Sequence, residues 1–424
     1  MPRNLEDITV EQKHAILIIL DGVGDLPNDA LDGLTPLQAA FKPNLDAIAT
    51  AGACGIHTPA GPGVVVESDT AHLILFGYDP DVDYPGRGPL EALGVGIHLR
   101  DGDIAFRGNL AVVDENNIII DRRAGRVIPE ADELIKAVNG IEPEGFPGLR
   151  LKVVHSTEMR LGCRLRGLGL SANVSMQNEG VTGVPLSKCT PLDDSRPAKK
   201  TAAAVNQLVE DMKAILANHP LNADRVEKGL QPVNAVMLYG PGAIKRVPSL
   251  KKRFNIDVGC VAGNGLIKGL CKYIGMTLIP CAGATGTETT DLNAKMDAVA
   301  ANYKDFDLFF LHIKATDALG HDRQPERKKA FIERFDQAFG RLLETVDLSE
   351  TFMFITGDHA TPCSLGQHSG DPVPVVMAGP TVIRDHVTQF DETSCAGGYL
   401  DTMVGKHFMS LILNKLDKLK KFGA

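Results

Sequence analysis

Acid and imidazole side chains collect in a few short words of this sequence: Asp21 in IILDGVGD, Asp317 and His321 in KATDALGHD, Asp358 and His359 in TGDHATP, and His368 in LGQHSGD. Carboxylates and imidazoles are hard-to-borderline donors, and a mixed set suits Zn²⁺ or Mn²⁺ better than Ca²⁺ or Mg²⁺. Asp317 and His321 stand four residues apart, so a helical turn brings both to one face and toward a single ion. Asp358 and His359 are neighbours at a strand end, where a bend in the backbone can direct adjacent side chains to one ion or two. A lone D-x-x-x-H or D-H pair is explained as well by a structural role. Three such pieces, each placed after an apolar strand, point to a metal site.

A hydroxyl group stands in GPGVVVESDTAHLILFGYDP, where the apolar run from Val64 to Val66 stops at Glu67 and Ser68 opens a helix-like segment. Position alone leaves two readings. As an N-cap, Ser68 would satisfy the first amides of the helix. As a nucleophile it would attack with backbone N–H groups and the positive end of the helix dipole facing a phosphoryl oxygen, and a metal on its oxygen would lower the hydroxyl pKa.

The elements that must position these groups are short and apolar. HAILIILDGVGD, DLFFLHIKATD and TFMFITGDHA each read as a continuous hydrophobic strand ending in an aspartate, the pattern of a parallel sheet buried on both faces with chemistry at its carboxyl edge. TPLQAAFKPNLDAIATAG reads as helix broken by proline, and EDMKAILANH, LNAKMDAVAANYKD and RKKAFIERFDQAFGRLLETV have helical spacing with charged outer faces. From about Gly94 to Pro232 the texture changes to shorter strand-like pieces, among them IAFRGNLAVVD, NIIID and LRLKVVHSTEMRLGCRL. The expected fold is therefore α/β, with residues 1–93 and 233–424 forming a discontinuous metal-binding domain and residues 94–232 an inserted α+β domain.

A chain of 424 residues exceeds one comfortable core, which agrees with two domains. With a formal charge of −9, an anionic substrate would have to be met by locally gathered metals or arginines. No basic tract or aromatic-basic interleaving suggests a nucleic-acid partner, and no apolar run is long enough for a membrane span. Eight cysteines are scattered without a C-x-x-C pair, and AILIIL is too short for a signal core, so reduced thiols in the cytoplasm are expected. The glycine-rich words GPGV and AGATGTETTD do not fit a P-loop, so no ATP or other organic cofactor is expected. Nothing in the sequence sets an oligomeric state.

The ordered set Asp21, Ser68, Asp317, His321, Asp358, His359 and His368 resembles the two-metal site of the alkaline phosphatase superfamily. The words LDGVGD, GRGPLEALGVGI, RGNLAVVDE, DRRAGR, KATDALGHD and DHATPCSLGQHSGDPVPVV are similar to those of the archaeal-type, cofactor-independent phosphoglycerate mutases, over nearly the whole chain. The resemblance implies an alkaline phosphatase-like sheet flanked by helices, and two divalent ions, Mn²⁺ or Zn²⁺. One ion would be held by Asp317, His321 and His368, the other by Asp21, Ser68, Asp358 and His359. It implies a glycolytic isomerase in which Ser68 takes the phosphoryl group of a small phosphorylated metabolite and returns it to another hydroxyl, interconverting 3- and 2-phosphoglycerate. The insertion would act as a lid, with His155, Arg122, Arg123, Arg126 and Lys268 as substrate-binding groups.

Three words depart from the family pattern, one of them GQHSG, which is looser than the usual ending around the last histidine although His368 itself remains. LSANVSMQNEG stands where an acidic S-D-x-D-P stretch is expected, and VMLYGPGA carries Tyr239 where the mutases have arginine. Loss of that arginine would remove a charged hydrogen bond of about 1.5 to 3 kcal/mol to an anionic substrate group. The alternative is a phosphohydrolase, phosphotransferase or mutase acting on another small phosphorylated or phosphonate metabolite.

Overall fold

The computed structural model describes residues 13–125, 127–177 and 181–419. They fold into two compact units, the first made of the described residues up to Val82, Pro248–Gly263 and those from Ile274 onward, the second of Asp83–Val247 and Asn264–Tyr273.

The apolar runs at the centre of the first unit are strands β1 (His14–Leu20), β10 (Leu308–Ile313) and β11 (Thr351–Thr356). They belong to an eight-stranded sheet of order β13-β2-β12-β11-β1-β10-β8-β9, in which β2 is Ala53–Thr58, β8 Val258–Val261, β9 Thr277–Leu278, β12 Val373–Ala378 and β13 Asp401–Val404. Pairing is parallel except where β12 runs antiparallel to β11 and β2. The sheet is thus mainly parallel, as the unbroken hydrophobic runs require.

Both faces are covered, which is why these strands do not alternate. Ile16, Ile18, Leu20, Phe309, Leu311, Ile313, Met353 and Ile355 share a core with the helices Pro43–Ala51, Leu292–Asn302 and Pro325–Leu343. On the opposite parity, Phe310 meets His72 and Phe76 at the helix Ser68–Leu75, and Phe354 meets Phe408 of the helix Phe408–Lys415. Each fully buried Ile or Phe contributes about 2 kcal/mol. Register matters more for function: Leu20 pairs with Ile313 and Ile19 with Thr356, so β1, β10 and β11 end together at one edge.

The second unit is an antiparallel sheet. β3 (Ile104–Val113) pairs with β7 (Ala235–Ala243), β6 (Arg160–Arg166) and the short β4 (Ile119–Asp121), and β6 pairs with β5 (Arg150–His155). The helices Ala131–Val138 and Arg196–Ala217 bury their apolar stripes against it. This unit reaches beyond residues 94–232 for a packing reason. In the helix Arg87–Gly94, a Cβ on Gly88 would fall within 2.5 Å of the carbonyls of Ala105 and Gly240, and one on Gly269 within 1.7 Å of the Leu90 carbonyl. These contacts draw the segment before residue 94, β7 and the helix Gly265–Tyr273 into the same unit.

His57 on β2 is fully buried, with Nε2 lying 2.9 Å from the Gly357 carbonyl, to which it donates. Burial pushes its pKa down to about 4, partly opposed by that hydrogen bond. An unfolded imidazole protonates near 6.5, so stability complete above that pH should be lost as pH falls toward 4, by up to about 3 kcal/mol. Urea unfolding at pH 7.5 and 4.5 checks this: His57→Gln should lose less on acidification than the parent chain.

Candidate metal centre

Asp21 follows directly on β1, and its amide donates to the Ile313 carbonyl at 2.8 Å, continuing the ladder by one residue. The chain then turns at Gly22, whose φ of +63° only glycine adopts without strain. A Cβ there would also lie 2.5 Å from Thr361 Oγ1 and 2.7 Å from Asp317 Cβ. The Gly22 amide donates to Asp358 Oδ1 at 2.9 Å, tying the end of β1 to the loop after β11.

Asp317 and His321 lie on the helix Ala315–His321, and the four-residue spacing brings Asp317 Oδ1 to 3.4 Å from His321 Nε2. His368 Nε2 arrives 3.2 Å from the same oxygen and 3.1 Å from His321 Nε2. The other nitrogens of these rings face carbonyls: His321 Nδ1 lies 3.0 Å from Gly366 O and His368 Nδ1 2.8 Å from Val66 O. A carbonyl only accepts, so each Nδ1 carries a proton, and in the neutral ring each Nε2 presents a lone pair. Burial opposes a second proton on His368, but the Asp317 carboxylate favours it and raises the pKa, so a metal there takes that proton's place. Two facing lone pairs and a carboxylate oxygen call for a cation among them.

A second set surrounds His359 Nε2, with Ser68 Oγ at 3.1 Å, Asp358 Oδ2 at 3.4 Å and Asp21 Oδ1 at 3.6 Å. Thr361 Oγ1 donates to Asp317 Oδ1 at 2.8 Å, so its contact of 3.2 Å with His359 Nδ1 is one it accepts, and Nε2 is again left bare. Asp358 Oδ2 is buried with no hydrogen-bond partner. Donors on one tetrahedral Zn²⁺-type ion at ordinary bond lengths stand about 3.3 to 3.6 Å apart. The spacings within both sets approach that figure, so the residues fit two divalent ions. Asp317 also groups with Asp21 and His359 within 4.8 Å, so the sets adjoin.

Ser68 is the first residue of its helix, and Glu67, the N-cap, makes no side-chain capping bond. The hydroxyl is therefore not spent on capping. It faces Asp21 Oδ1 at 3.4 Å as well as His359.

Burial opposes ionisation of Asp21 and Asp317, but the ammonium of Lys314, joined by the His312 hydrogen bond at Asp21 and by the imidazole contacts at Asp317, outweighs it and holds both below the usual carboxylate range. Asp358 is pushed well up by burial and by the charge of Asp21. Burial pulls His359 down to about 3, leaving the neutral imidazole, the form that a metal would take.

Sequence reasoning did not identify several residues that hold this arrangement. His312 Nε2 donates to Asp21 Oδ2 at 2.8 Å, and Lys314 Nζ lies 2.9 Å from Asp21 Oδ1 and 2.7 Å from Asp317 Oδ2. Lys328, fully buried, donates to the carbonyls of Gly22, Gly24 and Thr361 and to Asp25 Oδ2 at 2.8 Å. The available signal was a histidine inside the apolar run FFLHI and a lysine on the apolar face of a helix, since buried polar groups need partners.

The groups expected to bind substrate lie in the second unit. His155 ends β5, with Nδ1 2.9 Å from Asp132 Oδ1 and Nε2 2.7 Å from the Glu158 carbonyl. Arg122 and Arg123 occupy the turn after β4, where Asp121 accepts from the amides of Arg123 and Gly125 at 2.7 Å each. Lys268 is on the helix Gly265–Tyr273, and Arg126 lies outside the described residues. In LSANVSMQNEG, Gln177 is buried and accepts from the Leu238 amide at 2.7 Å, while residues 178–180 lie outside the described residues. Tyr239 pairs with Arg107 across β3 and β7, donates to Asn109 Oδ1 at 2.8 Å, and lies under the Arg107 guanidinium at 5.4 Å. The departure from arginine at position 239 therefore does not leave this spot without a cation.

Residues 49–222 match the family model described as 2,3-bisphosphoglycerate-independent phosphoglycerate mutase. The chain is 42% identical over 416 residues to phosphoglycerate mutase 1 of that type from Methanocaldococcus jannaschii, covering 98% of this chain and all of the relative. It is 44% identical over 414 residues to the corresponding Archaeoglobus fulgidus protein, covering 96% and 99%. Among solved structures, a Pyrococcus horikoshii protein superposes with a TM-score of 0.83 at 33% identity over 97% of this chain and all of that one. The cofactor-independent phosphoglycerate mutase of Thermoplasma acidophilum gives 0.66 at 32% identity, over 95% of this chain and all of its own. The chain belongs to the 2,3-bisphosphoglycerate-independent phosphoglycerate mutases, a family of isomerases.

Counting bound metal by elemental analysis should show two ions per chain in the parent and about one after Asp317→Ala or His321→Ala. Lys328→Met should cost about 3 to 5 kcal/mol in chemical denaturation, because it leaves Asp25 buried without its partner.

Proposed function

We propose that this chain interconverts 3-phosphoglycerate and 2-phosphoglycerate by passing the phosphoryl group through Ser68. The observation that carries this reading is the position of Ser68 Oγ, 3.1 Å from both His359 Nε2 and Lys314 Nζ, in a chain of this family. Held there, two divalent ions, Mn²⁺ or Zn²⁺ by the donor types, would clamp the attacking and leaving oxygens and favour the Ser68 alkoxide.

The chain's own groups supply the rest. The helix Ser68–Leu75 fixes the hydroxyl at its first turn, and His72 Nδ1 donates back to the Ser68 carbonyl at 2.7 Å. His312 and the Gly22 amide each take one carboxylate oxygen, of Asp21 and Asp358 respectively, so neither carboxylate can rotate freely. Attack by Ser68 on the substrate's phosphorus gives phosphoserine and glycerate, and attack by the other glycerate hydroxyl on phosphoserine returns the isomer and the free serine. The reaction belongs in the cytoplasm, where a glycolytic mutase meets its substrate.

With Mn²⁺ supplied, 3-phosphoglycerate should yield 2-phosphoglycerate with little inorganic phosphate. Phosphate released in excess of isomer would overturn the mutase reading in favour of a phosphohydrolase. Ser68→Ala should keep its metal and form no phosphoenzyme under acid quench; full turnover by that variant would remove Ser68 from the nucleophile's role.

A further inference from the structure

Lys314 stands at the N-cap position of the helix Ala315–His321, with its side chain 14% exposed. Its Nζ lies 2.9 Å from Asp21 Oδ1, 3.1 Å from Ser68 Oγ and 2.7 Å from Asp317 Oδ2. Among the described residues it is the lysine or arginine that forms ion pairs with Asp21 and Asp317; their other ion-pair partners are imidazoles.

Two of the three oxygens it touches, Asp21 Oδ1 and Ser68 Oγ, are donors of the second metal set. They are 3.4 Å apart. From these distances, an ion bonded to both at about 2.1 Å lies no more than about 4 Å from Nζ, where a doubly charged ion and an ammonium repel strongly in a buried site. Asp21 cannot relieve the conflict by offering one oxygen to each cation, because Oδ2 is already taken by His312 at 2.8 Å. Asp317 can. Its Oδ1 faces the two imidazoles and Thr361, and its Oδ2 faces Lys314. The two carboxylates are therefore not equivalent toward the lysine: one contact competes with a metal and the other does not.

We propose that Lys314 is a tethered counter-ion for the serine-side metal position, releasing Asp21 and Ser68 to a divalent ion while pivoting on Asp317 Oδ2. Loading that position is then an exchange of one cation for another. Lys314 balances the buried carboxylates before the exchange and is a mobile positive group beside Ser68 after it. Its four-carbon stem has the freedom for the movement. This role rests on the two-ion reading of the site.

Isothermal titration of the chelator-treated full chain with Mn²⁺ tests it, comparing the parent with Lys314→Met and Lys314→Arg. Lys314→Met should bind one of the two ions about tenfold more tightly, since nothing has to be displaced, and its metal-stripped form should melt below the stripped parent. Lys314→Arg, which keeps the charge, should show no such gain. Equal or weaker Mn²⁺ binding by Lys314→Met at both positions would overturn the proposal. Should that variant fail to fold, acylation of the parent chain followed by mass spectrometry serves instead: Mn²⁺ should speed modification of Lys314, and an unchanged or slower rate overturns the exchange. A parent chain that binds neither Mn²⁺ nor Zn²⁺ would instead remove the two-ion reading itself, an outcome distinct from metal bound with equal affinity by parent and variant.

Discussion

Three carboxylates, Asp21, Asp317 and Asp358, are buried together at the carboxyl edge of β1, β10 and β11. In a site of low effective dielectric their mutual repulsion is far larger than it would be in water. The surrounding structure is arranged to contain that repulsion. Lys314 lies between Asp21 and Asp317, His312 donates to the far oxygen of Asp21, and the Gly22 amide and Thr361 hydroxyl each hold one oxygen of Asp358 and Asp317. What the protein leaves uncompensated, chiefly Asp358 Oδ2 and the bare Nε2 atoms, faces the positions that two cations would take.

The layer behind the donors is as exacting as the donors. Lys328 gathers the carbonyls of Gly22, Gly24 and Thr361 around one ammonium and so fixes the turn after β1 against the loop after β11. Its pair with Asp25 is fully buried. Such a pair adds little net stability over an apolar replacement of the same shape, so its value here lies in geometry rather than in free energy. Gly22 plays a matching part by omission, since any side chain there would strike Thr361 and Asp317.

The second unit shows a different electrostatic pattern. One face of its sheet carries Arg107, Arg160, Arg164 and Arg166, residues that pair across or alternate along β3 and β6. Glu91 meets Arg107 at 3.4 Å and Asp103 meets Arg166 at 2.6 Å, yet the buried Nε atoms of Arg107, Arg160 and Arg164 have no hydrogen-bond partner. A chain of net charge −9 thus keeps a cationic sheet face within this unit. Tyr239 belongs to that face, where its ring supports Arg107 in place of contributing a guanidinium of its own.

Much of the site was legible in the sequence, because residue type and local spacing are sequence properties. Unbroken hydrophobic runs dictated strands buried on both sides, their terminal aspartates marked a sheet edge, and the D-x-x-x-H spacing put Asp317 and His321 on one turn. The partners of these groups were not legible. His312 and Lys314 looked like the tail of a strand, Ser68 was equally an N-cap, and Tyr239 looked like a lost cation until its register against Arg107 was known. Asp21 and His312 are 291 residues apart, and their contact exists only because β1 and β10 are neighbours in the sheet. Strand order and register depend on long-range packing that no local pattern records, so the sequence named candidate donors while the tertiary fold alone decided which of them meet, and over which atoms.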